Sequence, residues 1–110
     1  MAVTDEYLAY ALDQLASVGP VQAKRMFGGA GIYCHGVMFA LIADDVLYLK
    51  VDDTNRPDFE KAGMDPFRPY LDKSATMSYY EVPGDVLENK PTLTRWAQRA
   101  LRVASAKHKK

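Results

Sequence analysis

The segment KRMFGGAGIYCHG, residues 24–36, holds the residue types most able to do chemistry in this 110-residue chain. Glycines let a backbone close around a phosphate, and cysteine and histidine are ligands for metals. A dinucleotide-binding segment requires G-x-G-x-x-G between a strand and a helix. Here Gly29-x-Gly31 is followed by Cys34 where the third glycine should be, and then by a predicted strand. We therefore interpret the glycines as a bend or bulge, with Gly28 or Gly29 at positive φ and small residues where side chains would clash.

The other chemistry-bearing residues form no recognisable site. Cys34 and His35 are adjacent, so a strand would point them to opposite faces, and the remaining histidine, His108, lies in the tail. We expect a half-buried Cys34, an exposed His35 at a turn, and neither a metal nor a cofactor. No nucleophile elbow, zinc-protease or paired-carboxylate motif occurs, so the sequence predicts no catalytic residue.

The elements that position these residues are predicted to be a sheet and terminal helices. Hydrophobic periodicity and turn residues predict strands at residues 21–27, 31–34, 37–43, 46–51 and 77–82. The middle three form a three-strand meander with tight turns at His35-Gly36 and Asp44-Asp45. Helices are predicted near 5–17, at 57–62, at 85–88 and from Pro91 onward. The fold class is α+β, an antiparallel β-sheet flanked by N- and C-terminal helices, in one domain over residues 1–110.

The predicted strand 37–43 is apolar on both of its faces. Such a strand lies centrally in a sheet, and each of its sides must be covered. We expect a helix of the same chain on one side. The cover of the other side is either a second helix or a second copy of the protein, which would make the chain a homodimer.

The net charge of zero conceals an acidic body with a basic tail. Residues 91–110 contain no acidic residue and six basic ones: Arg95, Arg99, Arg102, Lys107, Lys109 and Lys110. On a helical wheel the three arginines lie opposite the apolar residues, and Trp96 lies on the apolar side. This basic face is a candidate surface for nucleic acid or for a protein partner. The alternative is a solvated helix face that pairs with the acidic body.

The chain contains neither an apolar run long enough to cross a bilayer nor a signal-peptide pattern. Its single cysteine cannot form an internal disulfide. These observations favour a reducing cytoplasm and no membrane partner.

Taken together, the motifs make the chain resemble the N-terminal domain of the TfoX (Sxy) family, regulators of bacterial natural competence. The residues that carry the resemblance are Arg25, Met26, Phe27, Gly28, Gly29, Gly31, Tyr33, Gly36, Phe39, Tyr48 and Lys50. Further matches, which extend it from about residue 5 to residue 106, are Phe67, the Tyr79-Tyr80 pair with Pro83, and Trp96-Ala97.

The resemblance implies an α+β domain with no cofactor and no enzymatic step. In full-length members the domain acts with the cyclic-AMP receptor protein to switch on DNA-uptake genes, and those members carry a second, C-terminal domain. This chain ends at Lys110, so we expect a single-domain member.

Three hypotheses for the function remain. The first is a non-enzymatic regulatory module in competence-related transcription, which contacts a protein partner in the transcription machinery and forms a homodimer. The second is direct nucleic-acid binding through the basic C-terminal helix. The third is an enzyme with a small anion pocket near the glycine bend, where Arg25, Tyr33, Tyr48 and Lys50 would converge if the sheet brings them onto one face.

Overall fold

A computed structural model describes residues 3–26, 29–66 and 78–108 of the chain. The strands in these ranges are β1 Val21–Met26, β2 Gly29–Cys34, β3 Val37–Ala43, β4 Val46–Lys50 and β5 Tyr79–Glu81. The helices are α1 Asp5–Gln14, α2 Arg56–Lys61, α3 Gly84–Leu87 and α4 Lys90–His108, with a 3₁₀ turn at Ala16–Val18. The predicted α+β class is confirmed.

The five strands form one antiparallel sheet in chain order, so β3 lies in its middle as the apolar pattern predicted. Two tight turns build the central meander. His35 and Gly36 have φ values of 53° and 80°, and Asp44 and Asp45 have values of 53° and 57°. Two consecutive positive φ angles give a turn whose twist matches that of the flanking strands. The predicted meander is therefore confirmed, and one strand extends it on each side.

One face of the sheet carries the hydrophobic core. Its central residues are almost completely buried: Ala30, Ile32, Ala40, Ile42, Leu47 and Leu49. Ile32 pairs with Ala40 while Tyr33 pairs with Met38, so Phe39 is an extra residue at a β-bulge. Phe39 is also fully buried in this core.

All helices in the described ranges pack on this core face of the sheet. They contribute Ala11 and Leu15 from the first helical segment, Phe59 from α2, Val86 from α3, and Leu93, Ala97, Ala100 and Ala104 from α4. The α4 residues follow the spacing that the sequence predicted for its apolar side. No helix in these ranges is long and apolar enough to span a membrane.

The ends of several elements differ from their predicted positions. The first helix ends at Gln14 rather than near residue 17, because the chain tightens into a 3₁₀ turn in which the Val18 amide donates to the Leu15 carbonyl at 3.0 Å. The last strand is shorter than predicted, and Met77 lies outside the described residues.

Candidate functional site

The glycine bend serves a close approach between two strands. Gly29 is not among the glycines with positive φ, so that expectation is wrong for this residue. A Cβ at Gly29 would lie 2.2 Å from the carbonyl oxygen of Ile42 in β3. A bare backbone is therefore required where β2 begins. Phe27, Gly28 and the side chain of Met26 lie outside the described residues.

The hypothesis that four side chains converge in an anion pocket beside this bend is wrong. Tyr33, Tyr48 and Lys50 lie on the face of the sheet away from the core. Arg25 lies on the core side, because neighbouring residues of β1 alternate between faces. Its guanidinium donates to the Val3 carbonyl at 3.2 Å and forms an ion pair with Asp5. Arg25 therefore ties the start of α1 to β1.

Cys34 and His35 have different surroundings. Cys34 is 1% exposed, which is more complete burial than the half-buried state predicted, and burial raises the pKa of its thiol. His35 is an exposed residue of the β2–β3 turn. Within residues 3–26, 29–66 and 78–108, no three His, Cys, Asp or Glu side chains converge where a metal ion could be held.

The side of the sheet opposite the core carries a mixed aromatic and charged surface. We call it the tyrosine face; it consists of Gln22, Lys24, Gly31, Tyr33, Met38, Leu41, Tyr48, Lys50, Tyr79 and Glu81. Leu41 and Tyr79 are buried, and Tyr33, Met38 and Tyr48 are half-buried. Predicted site residues of both halves of the chain thus meet on one surface.

Two lysines of the tyrosine face lie over aromatic rings. The Nζ atom of Lys24 is 5.8 Å from the ring centre of Tyr33, and that of Lys50 is 5.0 Å from the ring centre of Tyr79. Burial, and to a lesser extent the nearby Tyr33, raises the pKa of Tyr79 to about 12. Burial and Glu81 also raise the pKa of Tyr48. Both phenols stay protonated at neutral pH, so they present apolar rings with neutral polar tips.

The predicted basic face is only partly available for a ligand. Arg99 in α4 forms an ion pair with Asp58 in α2, which is the pairing with acidic residues that the alternative interpretation described. Arg95 donates a 3.4 Å hydrogen bond to the Thr92 hydroxyl, and Arg102 is exposed. The side chain of Lys107, and all of Lys109 and Lys110, lie outside the described part of the chain.

The same arginines border an open cleft between α2 and α4. This α2–α4 cleft measures about 420 Å³ and is lined by Asp58, Lys61, Ala62, Arg95, Trp96 and Arg99. Trp96 packs against the hydrophobic core, as its predicted place on the apolar side requires, but it is not remote from the arginines as the sequence suggested. Residues three and four apart on a helix are neighbours, so Trp96 and Arg95 both adjoin Arg99. The indole packs edge-on against Phe59, with ring centres 4.7 Å apart, and also reaches the cleft.

Sequence reasoning missed one polar residue that organises the loop after β4. Asn55 is 2% exposed, and its side-chain amide donates to the Lys50 carbonyl at 3.1 Å. Its carbonyl oxygen accepts from the Asp52 amide at 2.8 Å. Asparagine just after a strand is a typical turn signal, but only the structure shows that it is buried.

Comparison with known proteins gives two matches. The model of the TfoX N-terminal domain family matches residues 13–104. The chain is also 32% identical over 76 residues to DNA transformation protein TfoX1 of Aliivibrio fischeri. That similarity covers 67% of this chain and 35% of the relative, so the chain spans about a third of the length of the curated relative it matches.

Proposed function

Since this chain belongs to the TfoX N-terminal domain family, we propose that it is a non-enzymatic regulatory module of bacterial DNA transformation that acts through protein contacts in the cytoplasm. The name of its relative, a DNA transformation protein, supports the process. The tyrosine face supports the mode of action, because it groups aromatic and apolar side chains with oppositely charged residues at its two edges. Its occupant in this proposal is a second copy of the chain.

A single cross-strand row carries this proposal. The five strands contribute, in order, Lys24, Gly31, Leu41, Tyr48 and Glu81. The two ends of the row, Lys24 and Glu81, thus have opposite charge. On either side of the central Leu41, the row has Gly31, which has no side chain, and Tyr48, which has a large ring. The row read from β1 to β5 is therefore complementary, in charge and in size, to the same row read from β5 to β1.

A two-fold axis along β3, between two facing copies, produces that reversal. Each Lys24 then faces Glu81 of the second copy, and each Gly31 faces Tyr48, with the axis passing over Leu41 at the centre. Such an interface uses the same patch on both subunits, as two-fold dimers require. Five strands about 4.8 Å apart make a face about 20 Å wide or slightly more.

Charge-reversal variants test the dimer directly. Sedimentation velocity over a range of protein concentrations measures how strongly each variant dimerises. We expect the wild-type chain to dimerise, and Lys24→Glu to weaken dimerisation at least about tenfold because it places like charges face to face. Glu81→Lys should do the same. The double variant Lys24→Glu/Glu81→Lys restores opposite charges and should dimerise again. Glu60→Lys is a matched control, because Glu60 is exposed on α2 and lies outside the tyrosine face.

A wild-type chain that is monomeric at every concentration overturns the proposed dimer. So does dimerisation that neither single charge reversal weakens. The regulatory role is tested separately in the host, by deleting the gene and measuring the frequency of transformation with marker DNA. The wild-type gene and the double variant should restore transformation, whereas Lys24→Glu alone should not; unchanged transformation on deletion contradicts the regulatory role.

A further inference from the structure

The α2–α4 cleft is open to solvent and has the volume of a small-ligand site. Its volume of about 420 Å³ lies within the range of about 300–1,000 Å³ that is usual for such sites. One wall is the half-buried indole of Trp96, and the polar lining consists of Lys61, Arg95, Arg99 and Asp58. The cleft therefore combines an aromatic side chain with several charged groups.

The charges in the cleft favour a dianion. Three cations and one carboxylate line it, which gives 3 − 1 = +2. A phosphate monoester carries about −1.5 to −2 at pH 7. Asp58 does not remove Arg99 from use, because a guanidinium has five N–H donors and the ion pair uses the Nη1 end. The pair instead orients Arg99 and leaves its other donors for an acceptor.

Trp96 supplies the second half of the recognition. Its edge-on contact with Phe59 holds the indole in a defined orientation, which reduces the entropy lost when a ring stacks on it. Stacking of a nucleic-acid base on an aromatic side chain favours binding whatever the base, because every base has a flat π face. A ligand that carries both a planar ring and a phosphate uses the whole lining of the cleft.

We propose that the α2–α4 cleft binds a nucleotide, with its base against Trp96 and its phosphate on Arg95, Arg99 and Lys61. This site goes beyond the proposed function, which concerns the tyrosine face. The two proposals use different surfaces, so the failure of one does not contradict the other. The nucleotide is either free or part of a single strand. A neighbouring cleft of about 290 Å³ shares Arg99 and is also lined by Asp52, Thr54 and Arg102. In this proposal a strand extends into that cleft and a mononucleotide does not.

Fluorescence measures occupancy directly, because Trp96 is the single tryptophan of the chain. The probes are adenosine monophosphate, adenosine, inorganic phosphate and a short single-stranded oligodeoxyadenylate, with free tryptophan amide to correct for absorption. We expect a saturable change in emission with the mononucleotide and at least about tenfold weaker binding of adenosine and of phosphate alone, because each lacks half of the contacts. Tighter binding of the oligonucleotide than of the mononucleotide identifies a strand as the ligand, and equal binding identifies a free nucleotide.

Variants of the exposed arginines locate the site. Arg95→Gln should weaken mononucleotide binding about tenfold, since a hydrogen bond to a charged group contributes about 1.5–3 kcal/mol. Arg102→Gln is the matched control: it should leave mononucleotide binding within about twofold of wild type and weaken only a bound strand. Both side chains are exposed on α4, so we expect each variant to fold as the wild type does. Circular dichroism checks this. Emission that no probe changes saturably, or binding unaffected by Arg95→Gln, overturns the proposal.

Discussion

Gly29 of β2 lies directly against the carbonyl oxygen of Ile42 in β3, so closely that a Cβ on Gly29 would be 2.2 Å from that oxygen. The obstructing atom belongs to the backbone of the central strand and has no rotamer through which to move aside. Gly29 is thus required by the spacing of two strands and not by an unusual φ angle. The glycine-rich segment therefore contributes to the sheet itself.

We expect Gly29→Ala to lower the free energy of unfolding by about 3 kcal/mol. This is a typical cost of overpacking where the neighbouring backbone cannot move aside. Urea denaturation followed by circular dichroism measures the loss. Gly84→Ala is the control, because a Cβ there meets nothing within 4 Å and its φ is not positive. That variant should be unchanged or slightly more stable; equal losses in both would contradict the close-approach argument.

Asn55 provides a second test of stability. Asn55→Ala removes the hydrogen bonds to the Lys50 carbonyl and the Asp52 amide at a buried position. We expect a loss of about 2–4 kcal/mol in the free energy of unfolding, because each broken bond removes the side-chain partner of a part-buried backbone group. Asn89→Ala offers a comparison: its side chain accepts from the Thr92 amide at the exposed start of α4, and its removal should cost about 1 kcal/mol. A smaller loss for Asn55 than for Asn89 would show that the buried loop does not depend on this amide.

The tyrosine face predicts a loss of stability in alkali. The pKa of Tyr79 is raised from 10.0 to about 12 in the folded chain, so the folded state retains a proton that the unfolded state releases. The stabilisation is complete below pH 10 and is lost as the pH rises from 10 toward 12. Its slope approaches about 1.4 kcal/mol per pH unit for this one group.

Chemical denaturation of the wild-type chain and of Tyr79→Phe across this pH range measures the effect. Phenylalanine cannot ionise, so the variant should lose less stability with rising pH than the wild type does. The pKa values of Tyr7 and Tyr48 are raised as well, so some alkaline sensitivity remains in the variant. Identical pH profiles for the two proteins would exclude Tyr79 as a cause.

Cys34 should be protected from thiol reagents in the folded chain. Its side chain is buried, so a reagent has little access to the sulfur. Burial also raises the pKa of the thiol, so little of it is present as the reactive thiolate. We expect slow labelling in buffer and complete labelling in denaturant. Ser17→Cys in a Cys34→Ala background is the exposed control and should react rapidly in buffer. Labelling of native Cys34 at the rate of that control would contradict its burial.

Much of the architecture was predictable because it depends on local signals. The turn residues His35-Gly36 and Asp44-Asp45 adopt positive φ angles that specify tight hairpins, and these fix the register of β2, β3 and β4. Thr4 precedes α1 as its N-cap, and its side chain accepts from the Tyr7 amide, which is the local capping bond that threonine favours. The end of α1 and the ends of β2 and β5 were less predictable, since contacts with distant segments decide where a helix or a strand stops.

The candidate sites were less predictable because they join residues that are far apart in the chain. The sequence by itself determined the alternation along each strand, the central place of β3 and the apolar side of α4, since periodicity is a local property. Only the tertiary structure decided that Arg25 turns toward Asp5, that Asn55 is buried, and that Lys61 and Asp58 face Arg99 and Trp96. The physical reason is that strand register and helix packing set which side chains meet, and neither is encoded within one segment.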